Sequence, residues 1–186
     1  MRRHGDTLVA STNFGRERRV ILAGHLDTVP VIDNFPPRWL EPGDPLIRED
    51  VAAGHGRERV IWGRGATDMK GSDAVMMYLA AALTDAKYDL TYVFYDHEEV
   101  AAEKNGLRKV VEAHPDWISG DFAIIGEPTD CGIEGGCNGT MRFDVITHGI
   151  AAHSARAWMG RNAIHAAAEI LNRLNAYEIV RLKWMA

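Results

Sequence analysis

"DLTYVFYDHEEV", residues 89–100, joins a largely apolar run to a cluster of charged side chains. The run 89–95 has the length and composition of a strand that is covered on both faces of a sheet. Glu98 and Glu99 follow it side by side. Two glutamates here would be explained by the first turn of a solvated helix, whose dipole favours negative charge. They would also be explained by a metal site that carries its own base.

Other segments have the same strand character. "RRVILAG" (18–24) and "GDFAIIG" (120–126) contain continuous apolar runs that end in glycine, and the segment 6–12 alternates between apolar and polar residues. These patterns predict three further strands. Residues 31–59 are rich in proline, glycine and charge, and are predicted to be an irregular excursion.

Two helices are predicted between the buried strands. Residues 71–86 have apolar side chains at helical spacing, with Ser72 and Asp73 as capping candidates. Residues 101–114 form a second amphipathic pattern, which Pro115 ends. The order strand–helix–strand–helix–strand predicts an α/β sheet with helices on both faces.

The character of the chain changes after about residue 138. Residues 140–149 alternate like a strand with one wet face, and residues 160–178 have the pattern of a long amphipathic helix. We therefore predict two domains, 1–138 and 139–186.

Charge, hydropathy and cysteine content argue against several classes of function. The 186 residues carry a net charge of −5, from 21 basic and 26 acidic side chains, so charge gives no reason to bind nucleic acid or an anionic membrane. No apolar stretch approaches the ~20 residues that span a bilayer, and the first residues lack the apolar core of a signal peptide. Cys131 and Cys137 do not make a disulfide framework, which favours reduced thiols in a cytoplasmic protein.

Potential ligands follow each buried strand. Carboxyl ends of strands are where sites assemble in open α/β sheets, so these side chains are predicted to meet at one edge. The candidates are His25, Asp27, Asp68, Glu98, Glu99 and Glu127.

Each candidate also has a simpler explanation. His25 could be a satisfied core histidine, Asp68 a helix cap and Glu127 a loop charge, but the joint pattern is harder to produce by accident. Asp27 lies two residues after His25, and on a strand such residues share a face, so its carboxylate could hold the far imidazole nitrogen.

Glu98 and Glu99 cannot both ligate one ion without a bend in the chain. Adjacent side chains point to opposite faces of a strand and diverge by ~100° on a helix. We expect a division of roles, in which one carboxylate binds metal and its neighbour holds a water molecule as general base.

Five motifs occur in an order that resembles one enzyme family. They are "GHLDTVP", "GRGATDMKG", "YDHEEV", "GEPTD" and "GIAAHSARAWMGRNAIHAA". Together, from about residue 5 to residue 178, they resemble the M20 family of dinuclear zinc amidohydrolases. The resemblance implies a zinc-exopeptidase-like α/β sheet in an incomplete catalytic domain over 1–138. It also implies the beginning of an α+β lid or dimerisation domain over 139–186.

The resemblance implies a ligand set for two zinc ions, with cobalt as an alternative metal. His25 would ligate the first zinc, oriented by Asp27, and Glu127 would complete that site. Asp68 would bridge both ions, and Glu99 would ligate the second.

The resemblance also implies the reacting groups. Glu98 would be the general base that takes a proton from the bridging water, and the peptide bond Asp68–Met69 would be cis. His153 would reach the active site of the partner subunit in a homodimer and stabilise the oxyanion. Its simpler explanation is a loop histidine.

The residues that would contact the substrate are less clearly indicated by the sequence than the metal ligands. Arg156 and Asn162 are candidates to bind substrate carboxylates, although Arg156 could equally be a surface charge. Asn138 stands where many relatives carry an arginine, which leaves the detailed specificity open. His97, His148 and His165 are interpreted as structural.

The family pattern includes a further histidine, near its C-terminal end, that ligates the second zinc and has no match here. We expect the chain to be a piece of a longer protein, weak or inactive alone, because the second zinc would keep only Asp68 and Glu99.

The motifs most resemble desuccinylases of the actinobacterial type. They imply hydrolysis of N-succinyl-LL-2,6-diaminoheptanedioate to succinate and LL-2,6-diaminoheptanedioate, in lysine biosynthesis. The alternatives are another M20 deacylase or carboxypeptidase, such as an acetylornithine deacetylase, and a non-catalytic binding remnant of the fold. The paired glutamates argue against the last, since a binder needs no base.

Overall fold

A computed structural model of the chain describes residues 1–49, 51, 54, 58–130, 132–136 and 141–178. Cys131, Cys137 and Asn138 lie outside the described residues. The chain divides into two compact units, Met1–Glu134 and Gly135–Ala186, and each is described by itself.

The first unit contains a sheet of five strands and a separate ribbon of two. The strands are β1 Arg2–His4, β2 Thr7–Ser11, β3 Arg19–His25, β4 Arg38–Leu40, β5 Val60–Trp62, β6 Asp89–Tyr95 and β7 Phe122–Ile125. Its described helices include α1 Gly71–Ala82 and α2 Gly106–Ala113, with a helical turn over Ala66–Lys70 and a 3₁₀ turn over Pro115–Ile118. The ribbon pairs β4 with β5, so the excursion predicted over 31–59 contains one short strand that the sequence did not indicate.

The order in the large sheet is β1-β2-β6-β3-β7. β3 is parallel to both β6 and β7, whereas β2 is antiparallel to β6. His25 lies opposite Tyr95, and Ala23 lies opposite Ile125. The three parallel strands therefore end at the same edge, as the sequence predicted.

Both faces of the sheet are covered by a helix, which confirms the predicted α/β class. Successive residues of β6 point to opposite faces. On one face the buried cluster consists of Val9, Ala23, Val93, Tyr95 and, from α2, Val110. On the other it consists of Leu90, Tyr92, Met69 and, from α1, Met76.

The predicted cap of α1 is wrong. The helix begins at Gly71 after Lys70, without a side-chain cap. Ser72 Oγ instead donates to the carbonyl oxygen of Gly126 at 2.5 Å, and Asp73 is buried, with 3% of its surface exposed. Both side chains lie inside the first turn of α1, so neither is in the N-cap position.

The second helix is shorter than predicted. It begins at Gly106 because Asn105 caps it, with Oδ1 accepting the backbone N–H of Arg108 at 3.0 Å. It ends at Ala113, before Pro115, as predicted.

The second unit differs more from the prediction. Residues 141–149 form no strand, and nearby there is only an isolated bridge between Ile150 and Arg161. Alternation makes a strand only where a neighbour supplies hydrogen bonds, and no described strand lies beside this segment. A 3₁₀ turn covers Ser154–Met159, and the predicted long helix is two pieces, α3 Ala163–Ala166 and α4 Ala168–Asn175. None of the described helices has the length and apolar character that crossing a bilayer requires.

Candidate metal centre

His25 ends β3 and is buried, with 1% of its side chain exposed. Its Nδ1 lies 3.0 Å from the backbone carbonyl oxygen of Asp27. A carbonyl can only accept, so Nδ1 carries a proton and the second nitrogen, Nε2, is the atom available to a ligand. A hydrogen bond of this kind fixes the tautomer in metal sites.

Two carboxylates face that second nitrogen. Nε2 of His25 lies 2.9 Å from Oδ1 of Asp68 and 3.8 Å from Oε1 of Glu127. The ligand atoms of these three residues all lie within 4.8 Å of one another. One imidazole nitrogen and two carboxylate oxygens suit zinc, so the donor set fits the predicted first site.

Asp68 is positioned by the turn Ala66–Lys70 ahead of α1. The peptide bond Asp68–Met69 is cis, which confirms that expectation. The fully buried side chain of Met69 anchors the turn in the core, and its Sδ accepts the backbone N–H of His25 at 3.2 Å. The turn and the end of β3 are thus in direct contact.

Glu98 and Glu99 follow β6 after a bend. His97 has a φ of 59°, in the left-handed region, and supplies the change of direction that two adjacent ligands require. One oxygen of each glutamate and a ring nitrogen of His25 lie within 4.8 Å of one another. Asp68 belongs only to the group with Glu127, so its bridging role stays a prediction.

The orienting role of the Asp27 carboxylate stays a prediction. Oδ1 of Asp27 lies 3.6 Å from Nδ1 of His25, and the hydrogen bond to that nitrogen goes to the backbone carbonyl of Asp27. The carboxylate instead accepts the backbone N–H groups of Glu98, at 3.0 Å, and of Glu99, at 3.1 Å.

The carboxylates of the cluster lie close enough to repel one another. Burial raises the pKa of the Glu98 carboxyl and neighbouring Glu99 raises it further, although His25 opposes them. Burial and the charge of Asp68 likewise raise the pKa of Glu127, against the effect of His25. Neighbouring carboxyl groups with pKa values raised in this way are typical of a site that binds a cation.

Two residues of the site were missed from the sequence. Met69 binds the backbone of His25, and Tyr95 packs edge-on to the His25 ring, with the centroids 6.2 Å apart. Burial, followed by the charge of Glu127, raises the pKa of the Tyr95 hydroxyl. The one signal for Tyr95 was its place at the end of the strand that leads to the paired glutamates.

The remaining predicted site residues lie in the second unit. His153 Nδ1 accepts the backbone N–H of Ala155 at 3.1 Å, which leaves the proton on Nε2. Asn162 Oδ1 accepts the backbone N–H of Ile164 at 2.8 Å and caps α3. Arg156 is exposed in the 3₁₀ turn. An open cavity of about 330 Å³ is lined by His153, Asn162 and Arg161, but not by Arg156.

Comparison with known proteins shows the family of the chain. The model of the family "Peptidase family M20/M25/M40" matches residues 21–181. This chain belongs to that family. Members of the M20 family generally use a dinuclear metal site, for which the described residues supply candidate ligands.

Two M20 relatives are similar over nearly the whole chain. A putative succinyl-diaminopimelate desuccinylase of Mycobacterium tuberculosis is 46% identical over 175 residues, which is 94% of this chain and 45% of the relative. A succinyl-diaminopimelate desuccinylase of Corynebacterium glutamicum is 41% identical over 179 residues, 95% of this chain and 44% of the relative. The chain therefore spans less than half the length of these relatives.

Proposed function

We propose that this chain carries metal-binding residues of an amide hydrolase that cleaves N-succinyl-LL-2,6-diaminoheptanedioate to succinate and LL-2,6-diaminoheptanedioate. The observation that carries the proposal is the grouping of His25, Asp68 and Glu127 beside the paired glutamates. The names of its two relatives support the substrate.

His25, Asp68 and Glu127 would hold the first metal ion, and Asp68 with Glu99 would contribute to the second. Zinc suits the mixed nitrogen and oxygen donors, with cobalt as the alternative. A bound pair of such ions lowers the pKa of a water molecule and polarises the scissile carbonyl.

Glu98 lies outside the first ligand group, but one of its oxygens belongs to the second group with His25 and Glu99. Of the two glutamates in that group, Glu99 is proposed as the ligand and Glu98 as the general base. It would accept the proton of the attacking water and return it to the leaving amine. Its position next to Glu99 places the base and a ligand on the same turn.

His153 would donate a hydrogen bond to the developing oxyanion in the partner subunit of a homodimer. Its Nδ1 accepts from Ala155, so Nε2 carries the proton that such a role requires. Asn162 would use its amide oxygen as a cap and keep its NH₂ group to donate to a substrate carboxylate, and Arg156 is the other proposed contact. The cytoplasmic location stays a prediction.

Zinc stoichiometry by equilibrium dialysis tests the metal site. We expect about one tightly bound zinc per chain from the three-ligand group, lost in Glu127→Ala. Glu134→Ala, which removes an exposed carboxylate, is the matched control and should bind as the parent does. A chain that is folded by circular dichroism and binds no zinc would overturn the proposal.

A substrate panel tests the reaction. The N-succinyl substrate should be cleaved faster than N-acetylornithine and other N-acyl amino acids. Preference for an acetyl substrate would favour another M20 deacylase. Zinc binding without hydrolysis of any substrate, in a protein of the relatives' full length, would favour a binding role.

A further inference from the structure

Ser72 links the start of α1 to the segment that follows β7. Its Oγ donates to the carbonyl oxygen of Gly126 at 2.5 Å, although the two residues are 54 positions apart. The N–H of Gly126 donates in turn to the carbonyl oxygen of Ala23, on β3, at 2.9 Å. Both backbone groups of Gly126 are therefore held, one by the neighbouring strand and one by a side chain of the helix.

The backbone of Gly126 also packs closely against the helix and the turn before it. A Cβ built on Gly126 would lie 2.7 Å from Cβ of Ser72 and 2.9 Å from Cε of Met69. These distances are shorter than a real Cβ tolerates, so glycine is needed for the backbone to rest on the two side chains. The hydrogen bond and the packing thus hold the same point of the chain.

The residue after this point is Glu127, a member of the first ligand group. Its side chain is 38% exposed, so packing around the side chain does not lock it in place. Pro128 follows and disfavours a helical backbone at Glu127. The position of the Glu127 carboxylate therefore depends on where the preceding residue is held.

The segment that contains Ser72 also carries Asp68. The two residues are four positions apart, and the turn that holds Asp68 runs directly into α1. The same turn contacts β3 through Met69, whose Sδ accepts the N–H of His25 at 3.2 Å. One continuous segment thus supplies one ligand of the first group and binds the backbone at or beside the other two, His25 and Glu127.

We propose that Ser72 is a positioning residue for Glu127. The bond to Gly126 keeps the Glu127 carboxylate close enough to Asp68 for both to bind one metal ion. The inference rests on the proposed function, because it concerns a ligand of the proposed metal site, but the first part of its test needs neither metal nor turnover.

The first test is NMR of the metal-free parent chain and of Ser72→Ala. The carbonyl ¹³C resonance of Gly126 should shift in the variant, because that oxygen loses its hydroxyl donor. The amide proton of Gly126 should exchange on the order of 10-fold faster, since the end of β7 opens more readily when one of the two bonds is lost. An unchanged carbonyl resonance with unchanged exchange would overturn the proposal.

Three further variants complete this test. Ser11→Ala is the matched control, because it removes a hydroxyl that lies 3.2 Å from Thr91 Oγ1 in the same sheet. It should leave the Gly126 signals as in the parent. Ser72→Thr keeps a hydroxyl donor and should also preserve them. If Ser72→Ala does not fold, Ser72→Cys serves instead, since its thiol is only a weak donor, and the same changes at Gly126 are expected.

Zinc affinity tests the link from Ser72 to Glu127. Loss of a residue that supports a metal ligand costs about 10–100-fold in affinity. We expect the zinc Kd of the first site to rise by about 10-fold in Ser72→Ala and to stay parental in Ser72→Thr and Ser11→Ala. A parental Kd in Ser72→Ala would overturn the inference, and so would an equal loss of affinity in Ser72→Thr.

The urea midpoint of the metal-free chain separates positioning from general stability. Alanine has a higher helix propensity than serine, which offsets the lost hydrogen bond, so the midpoint of Ser72→Ala should stay close to that of the parent. A large fall in the midpoint together with weaker zinc binding would assign Ser72 a general structural role and overturn the proposal. Failure of the parent to bind zinc would instead overturn the proposed function, and the NMR results would still show whether Ser72 holds the segment before Glu127.

Discussion

Nε2 of His25 lies 2.9 Å from Oδ1 of Asp68, although the two residues are 43 positions apart. The other ring nitrogen also faces an acceptor, the carbonyl oxygen of Asp27. Burial disfavours a charged imidazole, but the bond to Asp68 and the charge of Glu127 outweigh it and raise the pKa of His25. The position therefore favours positive charge, whether a proton or a metal ion supplies it.

Glu98→Gln should separate binding from catalysis. Glutamine keeps the size of the side chain but cannot accept a proton, so we expect zinc stoichiometry to be unchanged. In a protein of the relatives' full length, kcat for the succinylated substrate should be about 10²–10⁴-fold lower in the variant than in the parent. Glu103→Gln, at an exposed site, is the control. A Glu98→Gln enzyme with parental turnover would exclude Glu98 as the base.

Asp89 should make the fold sensitive to acid. Its buried carboxylate accepts the backbone N–H of Phe14 at 2.6 Å and of Arg16 at 3.0 Å. The bond from Phe14 lowers the pKa of Asp89 below 3.8, against burial and with help from Arg16. A lowered pKa means that the ionised form stabilises the fold at neutral pH, and that this stability is lost as the pH falls through the folded-state value.

The measurement for Asp89 is the urea midpoint of unfolding as a function of pH. Asp89→Asn should unfold at lower urea than the parent at pH 7, and its midpoint should fall less steeply below pH 4. Asp116→Asn, whose side chain is 76% exposed, should behave as the parent. Equal acid slopes in the parent and Asp89→Asn would contradict the assignment.

Asp73→Asn should stabilise the metal-free chain at neutral pH. Asp73 is 3% exposed, and neither carboxylate oxygen has a hydrogen-bond partner among the described residues. Burial raises the pKa of Asp73, so ionisation costs stability as the pH rises. The start of α1 favours negative charge by only about 0.3–1 kcal/mol, which is less than the cost of a buried, unpaired charge.

The unfolding temperature at pH 7 checks this prediction. It should be higher in Asp73→Asn than in the parent, and the difference should shrink towards pH 4 as Asp73 takes up its proton in the folded parent. Glu134→Gln, at an exposed position, is the control. A lower unfolding temperature in Asp73→Asn would show that the carboxylate has a stabilising partner.

Gly106→Ala should loosen the start of the Glu98–Glu99 turn. A Cβ at this buried position would come closer than 3.0 Å to both Asp96 Oδ1 and Thr7 Oγ1, which bond each other. We expect the free energy of unfolding to fall by about 1–3 kcal/mol in urea titrations. Gly135→Ala, where a Cβ meets nothing within 4 Å, should have no such effect. Parental stability in Gly106→Ala would mean that the turn can move aside.

The sequence predicted the sheet best where burial alone decides structure. The strand over 89–95 was predicted with its observed bounds, because both of its faces are covered and its pattern has no wet side. The strand predicted over 140–149 failed because alternation describes a strand without supplying the neighbour that it needs.

The grouping of His25, Asp68 and Glu127 was also predictable, because it follows from strand order and the position of strand ends. The bonds from the Glu98 and Glu99 backbone to the Asp27 carboxylate were not. The prediction considered Asp27 only as a strand neighbour of His25, but β3 ends at His25. The residue after a strand end is free to turn, and its contacts depend on another loop that joins it from 71 positions along the chain.

The pairing of His25 with Tyr95 links the accuracy of the site to the packing of the core. A shift of β6 by one residue along β3 would turn Val93 and Tyr95 to the opposite face, into the space that Leu90 and Tyr92 fill. The same shift would carry the turn after β6 past Asp27. Correct packing of the sheet therefore keeps the candidate ligands aligned, and a chain with a shifted β6 would lose core stability together with the alignment of these residues.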